Sequence, residues 1–285
     1  MASDQGSSLS SKPKPTQSQE LTTRVLSAVV MIAIALVTAY WGGWPFALLW
    51  LAAGIAIMVE WTDMIGAEPR RLVQGILGGG LALLTLLVMT DARPGLILAA
   101  AVVFPLAAGV LTRGTTSKVW AVASFAYAAV IVLVPPVVRD HLDLGILALL
   151  WMFAVVWATD IAAYFTGRTF GGPKLCPAIS PKKTWSGFVG GVVAAALGGI
   201  LVGWIGNRYG LRLPFGLFGV AVLSVVASIA SQIGDLGESA LKRHCDVKDS
   251  SALIPGHGGV MDRLDGFWAV CLIVGLSLLS LRFTA

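Results

Sequence analysis

The chain has few charged residues and few cysteines. Asp, Glu, Lys and Arg make up 12% of its 285 residues and hydrophobic residues 56%, whereas soluble domains are roughly 25% charged. That composition excludes a soluble globular protein and predicts a polytopic membrane protein. The three cysteines form no CxxC pair, so neither a disulfide framework nor a zinc site is indicated. The basic residues are not collected on one aromatic-rich face, which excludes nucleic-acid binding.

Nine apolar segments approach the roughly 20 residues that cross a bilayer. They lie at about 24–41, 45–62, 71–90, 94–112, 118–137, 144–165, 186–206, 214–238 and 263–283. Residues 1–23 are rich in Ser, Gln, Lys and Pro, and are predicted to form a disordered tail ahead of a single transmembrane domain, 24–285. The long polar leader favours a retained anchor over a cleaved signal peptide.

The positions of the basic residues predict the orientation of these segments. With the N-terminus in the cytoplasm, 15 of the 20 Lys and Arg fall on the cytoplasmic side, as the positive-inside rule requires. The five on the opposite side are Arg93, Arg139, Arg208, Arg212 and Arg282. The expected fold is therefore all-α, with about nine transmembrane helices and a cytoplasmic N-terminus.

The densest charge lies between the last two apolar segments, in SALKRHCDVKDSSALIPGHGGVMDRLD, residues 239–265. Its Lys, Arg and Asp side chains suit a site where cations and a divalent metal hold anionic oxygens together. Asp262 and Asp265 are spaced i, i+3, which places both on one face of a helix. Glycines around His257 permit a turn whose N–H groups can approach an anion. The alternative interpretation is a solvated loop between membrane helices.

A polar stripe precedes this run. Its members recur at helical offsets of 0, 4, 7, 8 and 11, and are Ser231, Asp235, Glu238, Ser239 and Lys242. Polar groups on one face of an apolar helix should line a wet cavity inside the protein. The alternative is hydrogen bonding between helices, with Asp235 paired to a lysine.

A third charged segment runs from Asp160 to Gly187. Asp160 and Tyr164 are spaced i, i+4 on the end of an apolar segment. Hydroxyl and ammonium groups follow at Ser180, Lys182, Lys183 and Thr184, around the rigid Pro181. This arrangement could bind phosphate, although the two lysines could also serve only to orient the helices.

These motifs resemble a known family. The run S-x-L-K-R-x4-K-D-x-S-x2-I-P-x-H-G-G-V-x-D-R-L-D, from Ser239, resembles the signature of phosphatidate cytidylyltransferases, also called CDP-diacylglycerol synthases. The residues D-x-x-A-Y-x-x-G-R through S-P-K-K-T-W-x-G, from Asp160, resemble the second block of that family. Ser186 departs from the pattern, because the family usually has glutamate there.

The resemblance implies an enzyme that transfers a cytidylyl group from CTP or dCTP to phosphatidate, giving CDP-diacylglycerol and pyrophosphate. It implies Mg²⁺, with a second cation such as K⁺, on Asp235, Asp262 and Asp265. It further implies a homodimer. The bias of Lys and Arg predicts that the active site faces the cytoplasm, and the expected location is the bacterial inner membrane. The acceptor phosphate is already a nucleophile, so positioning and charge neutralisation suffice.

The remaining site residues are expected to neutralise or bind the substrates. Lys242 and Arg243 are predicted to be catalytic. Substrate contacts are predicted at Asp160, Tyr164, Ser180, Lys183, Thr184, Ser239, Lys248, Asp249, His257, Gly258, Gly259 and Arg263.

Three other functions fit parts of the sequence. An ion-coupled transporter would also carry intramembrane acids, but here the charges crowd at one surface and no internal repeat is found. A CDP-alcohol phosphotransferase would need D-G-x2-A-R before G-x3-D-x3-D, which is absent. The third possibility is an inactive homologue that acts as a scaffold, and the intact aspartates argue against it.

Glu60 lies inside an apolar segment without an evident partner, and the sequence leaves its role open.

Overall fold

A computed structural model describes residues 17–141, 145–211, 213, 215–254, 256 and 258–284. The helices in this part of the chain are α1 (Gln17–Trp41), α2 (Gly43–Met64), α3 (Arg70–Met89), α4 (Pro94–Leu111), α5 (Thr115–Asp140), α6 (Gly145–Phe170), α7 (Trp185–Arg208), α8 (Leu217–His244) and α9 (Met261–Thr284). Each of the nine predicted apolar segments therefore coincides with one helix.

Seven of these helices, α2 to α8, are long and apolar enough to cross a membrane. The chain is accordingly a helical, multi-pass membrane protein. The apolar part of α1, Val25–Trp41, is shorter. α1 begins at Gln17, ahead of the expected start at Arg24, and residues 1–16 of the predicted tail lie outside the described residues.

A short antiparallel hairpin interrupts the helical pattern between α6 and α7. Strand β1 (Lys174–Cys176) pairs with β2 (Ser180–Thr184). Strands this short show no readable alternation of apolar residues, and for that reason the sequence predicted only a loop here. Thr184 ends the hairpin and caps α7, because its side chain accepts a hydrogen bond from the Gly187 N–H at 3.2 Å.

Aromatic side chains pack the centre of the bundle, where α2, α6 and α9 meet. The Phe267 ring lies 5.1 Å from Trp50 and 5.2 Å from Phe153, measured between centroids. Tyr127 of α5 stacks on Trp268 of α9 at 4.3 Å. These contacts fix α9 against α2, α5 and α6, so the charged start of α9 has a defined position.

Buried hydrogen bonds join α6 to α8. The indole N–H of Trp151 donates to Ser224 Oγ at 2.9 Å, and the hydroxyl of Thr159 lies 2.8 Å from that of Ser228. Membrane helices associate through close packing and such polar contacts, because lipid gives apolar side chains no reason to leave it. The pairing aligns the polar stripe of α8 with the end of α6.

Candidate active site

Three carboxylates from two helices form an acidic cluster. Asp235 and Glu238 lie on α8 and Asp265 lies on α9. One oxygen from each lies within 4.8 Å of the others. Carboxylates this close repel one another unless a proton or a cation intervenes. Three hard oxygen donors are also the ligand type that Mg²⁺ prefers, so this donor set fits a divalent cation.

Two glycines let the helices approach at this cluster. Gly234 precedes Asp235, and a Cβ added to it would lie 2.7 Å from the backbone carbonyl of Asp265. Gly266 follows Asp265, and a Cβ there would collide with the hydroxyl of Ser231. Asp235 and Asp265 thus each lie next to a glycine at which α8 and α9 touch. This close contact between the helices holds the two carboxylates together.

Asp262 lies beside the acidic cluster and already has partners. Its Oδ1 is 2.6 Å from Lys242 Nζ, which also lies 2.7 Å from Glu238 Oε2. Its Oδ2 accepts hydrogen bonds from the Ser250 N–H and hydroxyl, each at 3.0 Å, and from the Gly259 N–H at 2.8 Å. Asp262 therefore holds Lys242 and the loop before α9, whereas Glu238 occupies the cluster position that the sequence analysis expected for Asp262.

The charge of Asp262 is stabilised by these contacts. The residue precedes the apolar stretch of α9. Burial alone would raise its pKa, but hydrogen bonds, led by that from Lys242 and including those from the backbone N–H groups of Gly259 and Ser250, hold the pKa at about 2. Asp262 is therefore ionised at neutral pH and keeps Lys242 beside the acidic cluster.

The hairpin brings a lysine to the same place. Lys183 Nζ on β2 lies 2.6 Å from Asp235 Oδ2. Asp160 on α6 also interacts electrostatically with Asp235 and Lys183. The structure therefore joins the segment that resembles the second block to the acidic cluster. The alternative for the polar stripe, in which Asp235 pairs with a lysine, is therefore also observed, and the lysine is Lys183 of this segment.

Other predicted residues of the hairpin region have local partners. Tyr164 is exposed, and its hydroxyl accepts a hydrogen bond from Arg168 at 2.8 Å. Ser180 begins β2 opposite Cys176. Thr184 is buried at the cap of α7, 3.0 Å from the Ser186 hydroxyl, which in turn donates to the carbonyl of Gly171. Ser186 thus joins the hairpin to the end of α6.

The rest of the predicted set lies at the end of α8, in the loop before α9 and at the start of α9. The Ile254 N–H donates to the Gly258 carbonyl at 2.8 Å, which closes the turn. The N–H of Gly259, expected to bind an anionic substrate, donates to Asp262 instead. His257 lies outside the described residues. Ser239 Oγ is 3.5 Å from Asp235 Oδ1. In this part of the chain, Arg243, Lys248, Asp249 and Arg263 are exposed.

A cavity lies beside Glu238, the one member of the polar stripe among its lining residues, and a wet cavity was expected beside that stripe. It has a volume of about 350 Å³ and is lined by Trp61, Trp120, Tyr127, Glu238, His244 and small or apolar residues of α8 and α9. Within the described residues, neither Trp61 Nε1 nor the Tyr127 hydroxyl has a hydrogen-bond partner. The three aromatic lining residues come from α2 and α5, far from α8 in the sequence, so no local motif indicates that they belong to the cavity.

The fold and the site define a multi-pass membrane protein with a compact cluster of acids and lysines. Residues 22–281 match the family model described as "Cytidylyltransferase family". The chain belongs to this family and is an enzyme of the cytidylyltransferase type. The lysines and aspartates described above lie within the matched region.

Curated relatives cover most of the chain. The protein named phosphatidate cytidylyltransferase from Brucella suis biovar 1 (strain 1330) is 40% identical over 256 residues, covering 90% of this chain and 92% of the relative. A Brucella abortus (strain 2308) protein of that name is 39% identical over the same shares. One from Haemophilus influenzae is 43% identical over 153 residues, 51% of this chain and 52% of the relative.

Proposed function

We propose that the chain transfers a cytidylyl group from CTP to phosphatidate, giving CDP-diacylglycerol and pyrophosphate. The relatives that match most of the chain bear the name of this activity. The observation that carries the proposal is the convergence of Asp235, Glu238 and Asp265, with Lys183 ion-paired to the first of them. This arrangement combines acidic ligands with a cation at one point, as transfer between phosphates requires.

The reaction needs no covalent enzyme intermediate. An oxygen of the phosphatidate phosphate forms a bond to the α-phosphorus of CTP. The bond from that phosphorus to the bridging oxygen breaks, and pyrophosphate leaves with the electron pair. The residues of the chain therefore act by positioning the two phosphates and by neutralising their charge.

A divalent cation, expected to be Mg²⁺ with a second cation such as K⁺, would neutralise the α-phosphate and the leaving pyrophosphate when bound. Asp235, Glu238 and Asp265 would hold it, because their oxygens already lie together. We assign Asp262 to holding Lys242 and the loop, since both of its oxygens are engaged there.

The lysines and arginines around the cluster would bind phosphate oxygens. Lys183 and Lys242 are partly buried and are held by carboxylates, so their ammonium groups are already positioned. Arg243, Lys248 and Arg263 are exposed nearby and suit the more distant phosphates of CTP. The hydroxyls of Ser180 and Ser239 and the side chains of Asp160, Tyr164 and Asp249 remain candidate substrate contacts.

The proposed membrane arrangement has nine spans, a cytoplasmic N-terminus and the acidic cluster facing the cytoplasm of the bacterial inner membrane. It is supported by the bias of Lys and Arg toward one side. Phosphatidate would enter from the bilayer with its headgroup at the carboxylates. Use of dCTP and assembly as a homodimer stay predictions.

Purified protein in detergent, assayed with CTP, phosphatidate and Mg²⁺, tests the proposal. Product formation should fall at least about 100-fold in Asp235→Asn and Asp265→Asn, because each variant removes a charged ligand. Asp91→Asn is the control, since Asp91 is exposed in the turn after α3 at φ 49, a conformation that Asn also adopts. No CDP-diacylglycerol from the folded wild type would refute the activity, and full activity in the two variants would refute the site.

A further inference from the structure

Glu60 of α2 is buried, with 3% of its surface exposed, and it contacts the loop that leads into α9. Its Oε1 accepts hydrogen bonds from the Ser251 hydroxyl at 2.7 Å and the Val260 N–H at 2.8 Å. Its Oε2 accepts from the Ser250 hydroxyl at 3.0 Å and the Met261 N–H at 2.9 Å. The carboxylate that had no evident partner in the sequence is thus fully hydrogen-bonded.

The loop lies directly on this carboxylate. A Cβ added to Gly259 would lie 2.6 and 2.7 Å from the two oxygens of Glu60. No side chain fits between them, so glycine is required at this position. Glu60 thereby occupies the N-terminus of α9, where backbone N–H groups favour a negative charge.

Only a carboxylate satisfies this arrangement. Each of its oxygens accepts one backbone N–H and lies within hydrogen-bond distance of one serine hydroxyl, although Ser250 shares its single hydroxyl proton between Glu60 and Asp262. A glutamine side chain has one oxygen and an NH₂ group, so one backbone N–H would face another donor. Aspartate keeps the charge but is one methylene shorter and would not reach both backbone donors.

Contacts continue from Glu60 to the acidic cluster. The Ser250 hydroxyl lies 3.0 Å from Glu60 Oε2 and also 3.0 Å from Asp262 Oδ2. Asp262 is paired with Lys242, and Lys242 with Glu238. The Met261 N–H immediately precedes Asp262. A continuous series of hydrogen bonds and ion pairs therefore links Glu60 of α2 to the start of α9 and to Glu238 in the acidic cluster.

We infer that Glu60 is a positioning residue, which holds residues 250–251 and 260–261 so that Asp262 and Asp265 meet the polar face of α8. The expected effect of Glu60 on catalysis rests on the proposed cytidylyl transfer, whereas its expected effect on the conformation of the loop does not. Glu60 acts through the loop, and its loss should alter kcat more than the KM for CTP.

The test compares Glu60→Gln with Glu68→Gln in the full-length protein. Glu68 is exposed just after α2, and there the same chemical change affects only a contact with the Arg70 N–H. Hydrogen exchange followed by mass spectrometry should show faster exchange over residues 250–261 in Glu60→Gln and no change in Glu68→Gln. kcat should fall about 100-fold in Glu60→Gln, the cost of a displacement of about 1 Å, with a KM for CTP within about threefold of the wild type.

Further variants exclude simpler explanations. Glu60→Asp retains the charge but does not reach both backbone donors, so it should resemble Glu60→Gln, and wild-type exchange and kcat in Glu60→Asp would overturn the positioning role. Wild-type exchange over residues 250–261 in Glu60→Gln would overturn the inference even if the protein proved to have another activity. Should Glu60→Gln fail to fold, Ser251→Ala removes one donor to Oε1: faster exchange of the loop and a reduced kcat would support the inference, and unchanged values would overturn it.

Discussion

The ammonium of Lys183 lies 2.6 Å from a carboxylate oxygen of Asp235. The lysine belongs to strand β2 and the aspartate to α8, so the pair joins the segment that resembles the family's second block to the polar stripe that precedes the signature. Both side chains are only partly exposed, at 24% and 35%. Without substrate, each charge has its partner in the other, and a bound phosphate would offer Lys183 a second anionic partner.

Replacing Lys183 should therefore impair the enzyme far more than replacing its neighbour. Lys183→Met is expected to lower kcat/KM for CTP about 100-fold, because a positioned cation is lost beside the reacting phosphates. Lys182→Met is the matched control, since Lys182 is exposed on the same strand. Equal effects of the two substitutions would show that these lysines act through membrane orientation alone.

Mg²⁺ should stabilise the folded protein through the acidic cluster. At a concentration of 100 times Kd, a ligand of the native state adds about 2.7 kcal/mol to the free energy of unfolding. The thermal midpoint of the wild type should rise when Mg²⁺ replaces a chelator, and that of Asp265→Asn should rise much less. Asp91→Asn should respond as the wild type does. An equal rise in Asp265→Asn would place the cation elsewhere.

Asp262 and Asp265 should differ in their effect on stability when a chelator is present. Asp262→Asn weakens the pairing of Lys242 and the hydrogen bonds of the loop, and should lower the free energy of unfolding by about 1–3 kcal/mol. Asp265→Asn removes like-charge repulsion in the acidic cluster and should not destabilise the protein. Thermal unfolding in chelator measures both, and equal losses would contradict the division of roles.

The contact between α8 and α9 can be tested with two glycines of α8. Gly234→Ala places a methyl group 2.7 Å from the Asp265 carbonyl, so it should separate the helices, lower the thermal midpoint and weaken the response to Mg²⁺. Gly237→Ala meets nothing within 4 Å and should be neutral or stabilising by up to about 1 kcal/mol, since alanine favours helix. If both variants behaved alike, close approach would not be the reason for glycine at 234.

Hydropathy predicted the helical segments because each one is close to the length that spans a bilayer. The polar stripe on α8 was also evident, since its members repeat with helical spacing. Which carboxylates face one another was not predictable, because that depends on how α8 and α9 are rotated about their axes. The sequence assigned Asp262 to the metal site together with Asp235 and Asp265, whereas the acidic cluster in the structure contains Glu238 of the stripe beside those two aspartates.

Contacts between distant parts of the chain could not be predicted from the sequence either, because they also depend on how the helices pack together. Nothing near Glu60 indicates that it accepts hydrogen bonds from Ser250 and Ser251, which lie in the loop before the last helix. The hairpin was missed because its strands have only three and five residues. The motifs predicted the type of chemistry, but the residues that contact those motifs became evident only in the structure.

The carboxylate on α2 also has a consequence for recombination between related enzymes. The recognisable motifs begin at Asp160, yet the start of α9 depends on an acceptor near the other end of the chain. A chimera that takes its first helices from a relative should be active only if the donor supplies a carboxylate of the same reach. Although α2 carries no recognisable motif, the residue at position 60 is therefore as restricted as the residues of the segments that carry the chemistry.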